Sequence, residues 1–331
     1  MVNLNQFPKT LQSAIQYFAD EMRCITFLAN IRWPDQKAAC PNCGDKDSTY
    51  FMTTQKRWKC RSCKKQFSVK QGTIFEDSPI SLSKWFPAVW LIWGAKNGIS
   101  SCEIARALGV TQKTAWFMMH RIRLAMTQGS FEKMSGEVEV DETYIGGLSR
   151  MHKDRRKKGM VGSAGKVAVF GLLERGDKKS RVRTKVVKNA TSDVLQGEIR
   201  NHVETGSKVY SDEHGAYRSL GETGDYMHDF VKHAEYYVNG SVHTNGIENF
   251  WALLKRSIKG TYVSVEPFHM FRYLDEQSFR FNERFGDDAD RFLSAMHEVM
   301  GKRITYRKLT GKDEVGPSVN DEGSVNPESW L

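Results

Sequence analysis

Four of the six cysteines fall in two close pairs, Cys40/Cys43 and Cys60/Cys63, spaced C-x2-C-x16-C-x2-C. Each pair can present two thiolates from a tight knuckle, and two knuckles complete a tetrahedral site with no position left open. The spacing therefore predicts that residues 39–72 fold as a ribbon around one structural Zn²⁺. Gly44 follows the first pair, and Trp58 and Phe67 flank the second. Thiols spaced to hold a metal suit a reducing compartment better than a disulfide framework does. Cys24 and Cys102 remain, both on segments with helical periodicity, and read as buried structural thiols.

Forty-nine Lys and Arg against 39 Asp and Glu leave a formal charge of +10. A polyanion, nucleic acid first, is the expected partner. There is no N-terminal apolar signal segment, and the most apolar run, Leu82–Ala95, contains Lys84 and Pro87 and is too short to span a bilayer. A soluble, cytoplasmic protein with no membrane partner is expected.

Ahead of the ribbon, Leu11, Ile15, Phe18, Met22, Ile25 and Leu28 recur at three-to-four spacing, which predicts an amphipathic helical segment within 1–38, broken near Asp20 and ended by Trp33-Pro34. Behind it, residues 80–130 read as a long apolar helix followed by a helix-turn-helix-like pair. Its first helix is Ser101–Leu108, its turn is at Gly109, and its second helix starts after an N-cap at Thr111 and reaches about Met126. In that arrangement Gln112, Lys113, Thr114 and His120 face DNA bases, and Arg121 and Arg123 lie near phosphates. An ordinary helical hairpin with a basic end is the alternative.

From Gly136 the period changes to two. Val138 and Val140 alternate with Glu137, Glu139 and Asp141, so the valines face a covering layer and the acids the opposite side. Asp141 closes the run just before Tyr144, Gly146 and Gly147, at the strand end where open sheets expose their sites. Glu139 shares its face and is the rival ligand, while Glu142 points away. A basic loop follows with Arg150, Lys153, Arg155, Arg156, Lys157 and Lys158. Strands are expected at Val167–Leu173 and Arg181–Val187, the latter with Arg181, Arg183 and Lys185 on one face. In a chain of this charge these cations suggest a phosphate-binding surface, although a charge run is also an ordinary solvated face.

Thr191 caps a helix to about Val203, a strand ends at Asp212, and Phe230–Val238 has strand composition. Then comes a helix over 246–259, whose Ile247, Phe250, Trp251, Leu254 and Ile258 form one buried stripe. Asn245, Glu248 and Lys255 share the flank beside that stripe. Asn245 and Glu248 also have the spacing of a capping box. Helices at Pro267–Phe285 and Asp288–Met300 are expected to cover the sheet. The fold class is multidomain α+β: N-terminal helical segment, ribbon and helix-turn-helix-like helices, then a ribonuclease-H-like α/β domain with a mixed sheet over 135–286. A C-terminal helix over 287–306 and a disordered tail over 307–331, rich in Gly, Ser, Asp, Glu and Pro, complete it.

With CPNCG and WKCRSC, VDETYIGG, SDEHGAY and HTNGIENFWALLKRSIKG in hand, the chain from about Arg32 to Phe285 resembles the DDE transposases of bacterial insertion sequences that carry an N-terminal zinc ribbon. The resemblance implies that Asp141, Asp212 and Glu248 are the acidic triad, with 35 residues between the last two, and that Lys255 is the basic residue seven positions on. Related families place either Glu or Asn at the third position, so Asn245 and His243 stand as secondary site residues. The implied activity is cleavage of double-stranded DNA at element ends and joining to target DNA, with two Mg²⁺ or Mn²⁺ ions held by the carboxylates. A homo-oligomer acting on DNA at the nucleoid is the implied assembly. A catalytically inert DNA-binding regulator and a structure-specific nuclease of the same fold are the alternatives.

Overall fold

The structure, a computed structural model, describes residues 7–127, 132–146, 166–176, 179–222, 224–231 and 242–312. These fall into two compact units. The first is drawn from Met1–Gly94, Ser101–Met126 and Gly286–Leu331, the second from Ala95–Ser100 and Thr127–Phe285.

In the first unit, α1 (Leu11–Tyr17) and α2 (Glu21–Arg32) are separated at Asp20, whose carboxylate caps α2 by accepting from the Met22 N–H. The ribbon strands β1 (Thr49–Met52), β2 (Arg57–Cys60) and β3 (Gln66–Phe67) pair antiparallel in that order, with Trp58 between Phe51 and Phe67. The helix α3 (Leu82–Gly94) buries nine of its residues and is capped from a distance: both carboxylate oxygens of Glu21 accept from the N–H groups of Leu82 and Ser83. The pair α4 (Ser101–Leu108) and α5 (Gln112–Ala125) follows, joined through Gly109 at φ 61°, with the Thr111 hydroxyl accepting from the Thr114 N–H.

Three expectations change here. His120, Arg121 and Arg123 are buried, at 0%, 3% and 1% exposure, so they cannot reach DNA bases or phosphates. The Arg121 guanidinium instead lies over the rings of Trp85 and Phe117 and donates to the Glu76 carbonyl. Cys24 is buried as expected, but Cys102 is exposed.

The C-terminal helix, here α9 (Asp288–Glu298), belongs to the first unit and not to the unit that contains the sheet. Its Phe292 enters an aromatic cluster with Phe18, Phe27, Phe86 and Trp90 in the first unit. The Asp287/Asp290 capping box starts this helix afresh. A last turn, α10 (Tyr306–Leu309), buries Leu309, so the structured chain runs into the stretch read as tail, whose remainder from 313 lies outside the described residues.

The second unit is built on a five-stranded sheet in the order β6-β5-β4-β7-β8, with β4 Glu137–Ile145, β5 Val167–Glu174, β6 Arg181–Val187, β7 Lys208–Asp212 and β8 Met227–Val231. The strands β4, β5 and β6 are antiparallel, while β4, β7 and β8 are parallel, which is the mixed sheet of a ribonuclease-H-like domain. One face packs Val138, Val140, Phe170 and Leu172 against α6 (Ser192–His202) through Leu195 and Ile199. The other packs Val169 and Leu173 against α7 (Asn245–Ser257) and α8 (Met270–Asn282) through Ile247, Trp251, Leu254 and Leu274. Of the strand expected at Phe230–Val238, residues 230 and 231 belong to β8, which starts at Met227, and residues 232–238 lie outside the described residues. Met227 and Phe230 are exposed on this edge strand, so its apolar residues do not mark a core face.

Candidate active site and zinc ribbon

Alternation along β4 puts Asp141 on the α7 face, and Tyr210 opposite Glu139 puts Asp212 on that face too. The parallel ladder between β4 and β7 stops at Glu139 and Tyr210, two residues short of both acids, so Asp141 and Asp212 stand side by side on adjacent central strands. Only Asp212 ends its strand: β4 runs on to Ile145, paired with β5, so Asp141 lies at mid-strand and not at the strand end expected. The two carboxylates feel one another. Burial, the Asp212 charge and the Glu142 charge, in that order, push the Asp141 carboxyl up to about 7. The backbone N–H of Glu142 and the indole N–H of Trp251 donate to its two oxygens, at 2.8 and 2.9 Å, and partly oppose the rise.

Glu248 is on α7, one turn before Trp251, and is half-buried, with its Oε1 accepting from the Thr244 hydroxyl at 2.7 Å. Lys255 is exposed two turns further along. Asn245 is exposed and is the first residue of α7 rather than its cap, because the N-cap position is Thr244. The rival ligand Glu139 is spent on structure. It is 1% exposed, pairs with Arg175 at 2.7 Å and accepts from the Ile247 N–H at 2.8 Å. His243 likewise faces Arg175, with its Nδ1 2.8 Å from the guanidinium. Glu142 points to the opposite face as expected, where the Tyr217 hydroxyl donates to it. Its carboxyl is pushed up by burial, and the nearby Asp212 charge adds to the rise. Neither Arg175 nor the Trp251 indole stood out in the sequence, since Arg175 sits in a turn-like Glu-Arg-Gly-Asp run and Trp251 belongs to an apolar stripe.

The cationic residues fare unevenly. Arg181 pairs with Glu174 at 2.7 Å, Lys185 pairs with Glu198 at 2.8 Å, and Arg183 donates to the Glu132 carbonyl, so each cation of this strand face has a partner within its own unit while Arg181 and Lys185 stay partly exposed. Arg155, Arg156, Lys157 and Lys158, with the rest of the basic loop, lie outside the described residues. Gln112 and Lys113 are exposed and Thr114 is half-buried at the start of α5, where Gln112 donates to the Ser101 hydroxyl and the Lys113 ammonium sits 4.9 Å from the Tyr306 ring centroid.

In the first unit the four cysteine sulfurs all lie within 4.8 Å of one another, with Cys40–Cys63 and Cys43–Cys60 each at 3.6 Å. A tetrahedron with Zn–S bonds of about 2.3 Å has edges of about 3.8 Å, so the cluster fits a structural zinc. Burial alone would raise the Cys40 thiol, but the backbone N–H groups of Asn42 and Cys43 and the neighbouring thiols bring it down to about 6, toward the thiolate a metal needs. Among the described residues no other group of three or more His, Cys, Asp or Glu has ligand atoms gathered in this way, the three carboxylates included. Asp141 and Asp212 fit a hard divalent cation by donor chemistry and by the repulsion it would relieve, with Glu248 held on the adjoining helix. Among the described residues no helix is long and apolar enough to cross a membrane.

Comparison with known proteins agrees with this arrangement. Residues 133–282 match the ISXO2-like transposase domain, and residues 19–66 match the transposase zinc-ribbon domain, whose span takes in α2 as well as the cysteine knuckles. An uncharacterized protein in transposable element ISH50 of Halobacterium salinarum is 29% identical over 254 residues, covering 73% of this chain and 84% of that protein. A chain in the cryo-electron microscopy structure of the simian T-cell lymphotropic virus intasome in complex with PP2A regulatory subunit B56 gamma superposes with a TM-score of only 0.28 at 12% identity, over 55% of this chain and 64% of that one. That superposition is too distant to bear on the site. The chain thus carries a transposase zinc-ribbon domain over residues 19–66 followed by an ISXO2-like transposase domain over residues 133–282.

Proposed function

We propose that the chain binds the ends of an insertion sequence and catalyses DNA strand cleavage followed by strand transfer, with Asp141, Asp212 and Glu248 as the acids of the reaction. One observation supports this reading: two carboxylates stand side by side on adjacent parallel strands, where burial first and the Asp212 charge second push Asp141 up to about 7, and the helix packed on that face bears the third. These acids would hold two Mg²⁺ or Mn²⁺ ions, which when bound supply an activated oxygen nucleophile and stabilise the leaving oxygen. Water attacks phosphorus and the P–O3′ bond breaks, leaving a 5′-phosphate and a free 3′-hydroxyl; that hydroxyl then attacks a target phosphodiester, forming a new P–O bond as the target's own P–O3′ bond breaks and its 3′-oxygen leaves as a hydroxyl. Lys255, exposed on the same helix as Glu248, suits a phosphate of the DNA end. Gln112, Lys113 and Thr114 suit base edges from the start of α5. The assembly acting on double-stranded DNA would be a homo-oligomer at the nucleoid.

The test uses the full chain with duplex DNA carrying the segments that flank its gene, with Mg²⁺ or Mn²⁺, scoring cleaved and joined products. Asp141→Asn, Asp212→Asn and Glu248→Gln should each reduce both products to background while DNA binding by gel shift survives. Unchanged turnover in any of the three would remove that acid from the reaction. DNA that is cut but never joined would favour the nuclease reading of the same fold, and binding without any cutting the inert regulator.

A further inference from the structure

Of the three acids, two sit on strands whose positions are set by the sheet ladder, whereas Glu248 sits on a helix that no ladder holds. What fixes α7 must be side chains, and two anchors are visible.

The first is at the helix N-terminus. The Glu139 carboxylate accepts from the Ile247 N–H at 2.8 Å, capping from a neighbouring strand a helix whose own N-cap, Thr244, makes no side-chain capping bond. A carboxylate there also meets the positive end of the helix dipole. The approach needs Gly246, since a Cβ at that position would lie 2.9 Å from Glu139 Oε2. Arg175 holds Glu139 in turn. Its Nε donates to Glu139 at 2.7 Å, one terminal nitrogen reaches Glu137 at 3.3 Å, and the other reaches the His243 ring and carbonyl at 2.8 and 2.6 Å. The guanidinium also lies 4.5 Å over the Tyr210 ring, and the Tyr210 hydroxyl donates to Glu137. One planar fork thus ties β4, β7 and the residue leading into α7.

The second anchor is one turn further on. The Trp251 indole N–H donates to Asp141 Oδ2 at 2.9 Å, and its ring occupies space that exists only because Gly171, the partner of Asp141 on β5, has no side chain. A Cβ on Gly171 would lie 2.5 Å from Trp251 Cζ2. Glu248 stands between these anchors, directly after Ile247 and three residues before Trp251.

We propose that Arg175, acting through Glu139, and Trp251, acting on Asp141, are positioning residues that set the register and depth of α7 on the sheet and so place Glu248 beside the Asp141/Asp212 pair. This rests on the reading of the acids as a divalent-cation centre. Hydrogen-bond partners of metal ligands commonly contribute 10- to 100-fold to affinity or activity, and the same range is expected here although neither residue would touch metal or DNA.

The experiment measures Mn²⁺ binding to the full, zinc-loaded chain by the electron paramagnetic resonance of free Mn²⁺, beside turnover, DNA affinity and backbone hydrogen exchange. Trp251→Phe keeps an aromatic ring, though a smaller one, and removes the indole N–H, and Arg175→Gln removes the fork. Both should weaken Mn²⁺ binding and lower turnover by about 10- to 100-fold with DNA affinity unchanged. Arg175→Gln should also speed exchange across residues 245–249 before the amides of β5 respond. Asp141→Asn serves as reference and should abolish Mn²⁺ binding at this site. If it does so while both positioning variants bind Mn²⁺ and turn over within about twofold of the parent, the inference fails and the proposed function stands. If Asp141→Asn itself binds Mn²⁺ like the parent, the reading of the acids fails and the inference with it. Should Arg175→Gln not fold, Trp251→Phe alone decides between these outcomes.

Discussion

In the ribbon, four sulfurs from two knuckles stand within 4.8 Å of one another, whereas the acids come from two strands and a helix, and among the described residues they form no comparable cluster. The thiols are gathered by local backbone geometry: each knuckle places its two sulfurs, and Cys60 reaches the site on a strand only four residues long. The acids are gathered by topology, through a parallel ladder that aligns Asp141 with Asp212 and a helix hung on Glu139 and Trp251. A structural metal site stabilises the fold that makes it, while an acidic site of this kind is a local cost that the rest of the domain must carry. Removing a ligand should therefore act with opposite sign in the two units.

The largest effect is expected in the ribbon. Cys60→Ser removes one of four thiolates from a site whose binding free energy, about 10–16 kcal/mol in small zinc domains, is also folding free energy. Zinc content should fall from about one per chain to near zero. Residues 39–72 should lose protection from proteolysis and hydrogen exchange, while the sheet of the second unit keeps its own. A variant that retains stoichiometric zinc would show that the knuckles do not act as one site.

The acidic site should respond the other way. In the folded chain Asp141 keeps a proton up to about pH 7, because burial and its acidic neighbours disfavour the charge, whereas an unfolded chain releases it near pH 4. Between those values the folded state binds more protons, so the stability from this group is fully present below about pH 4 and is lost as pH rises through about 7. Asp141→Asn carries no such slope. Without added Mg²⁺ or Mn²⁺, denaturant titrations should find the variant about 1–4 kcal/mol more stable than the parent at pH 8 and equal to it near pH 4. A flat parent curve between pH 4 and 8, or a less stable variant at pH 8, would contradict the electrostatic account.

The same contrast explains what could be read from the sequence. The ribbon was legible because its ligands come at fixed short spacing, and the break at Asp20 and the turn at Gly109 were legible because caps and glycines act locally. Alternation along β4 correctly separated Asp141 from Glu142, since the pleat is a local property. Alternation could not tell Asp141 from Glu139, because the difference lies in Arg175 and the Ile247 N–H, 36 and 108 residues away along the chain. Arg121 and Arg123 were misjudged for a related reason. A cation on a helix is assumed to seek solvent, yet Arg121 finds the Trp85 and Phe117 rings and the Glu76 carbonyl in the packed first unit. The start of the edge strand at Met227 was not legible because its burial follows no two-residue alternation.

The smallest effect sharpens the comparison most, because it concerns a residue whose sequence reading and structural reading differ. Asn245, three residues before Glu248, had the spacing of a capping box, and a cap lost to alanine costs about 1 kcal/mol. In the structure Thr244 occupies the N-cap position, Glu139 takes the Ile247 N–H, and the Asn245 side chain is exposed. Asn245→Ala should then change stability by less than about 0.5 kcal/mol, as surface substitutions away from a cap do. If Glu248 is the third acid, the variant should also cleave and join DNA at the parent rate. A destabilisation near 1 kcal/mol with turnover intact would mean that Asn245 caps α7 in solution and that the Glu139 bond is secondary. Loss of turnover in a fully folded Asn245→Ala, with Glu248→Gln still active, would move the third position back by three residues. The helix would then present Asn245 to Asp141 and Asp212, and the Thr244 hydroxyl bound to Glu248 would be an ordinary helix-start contact.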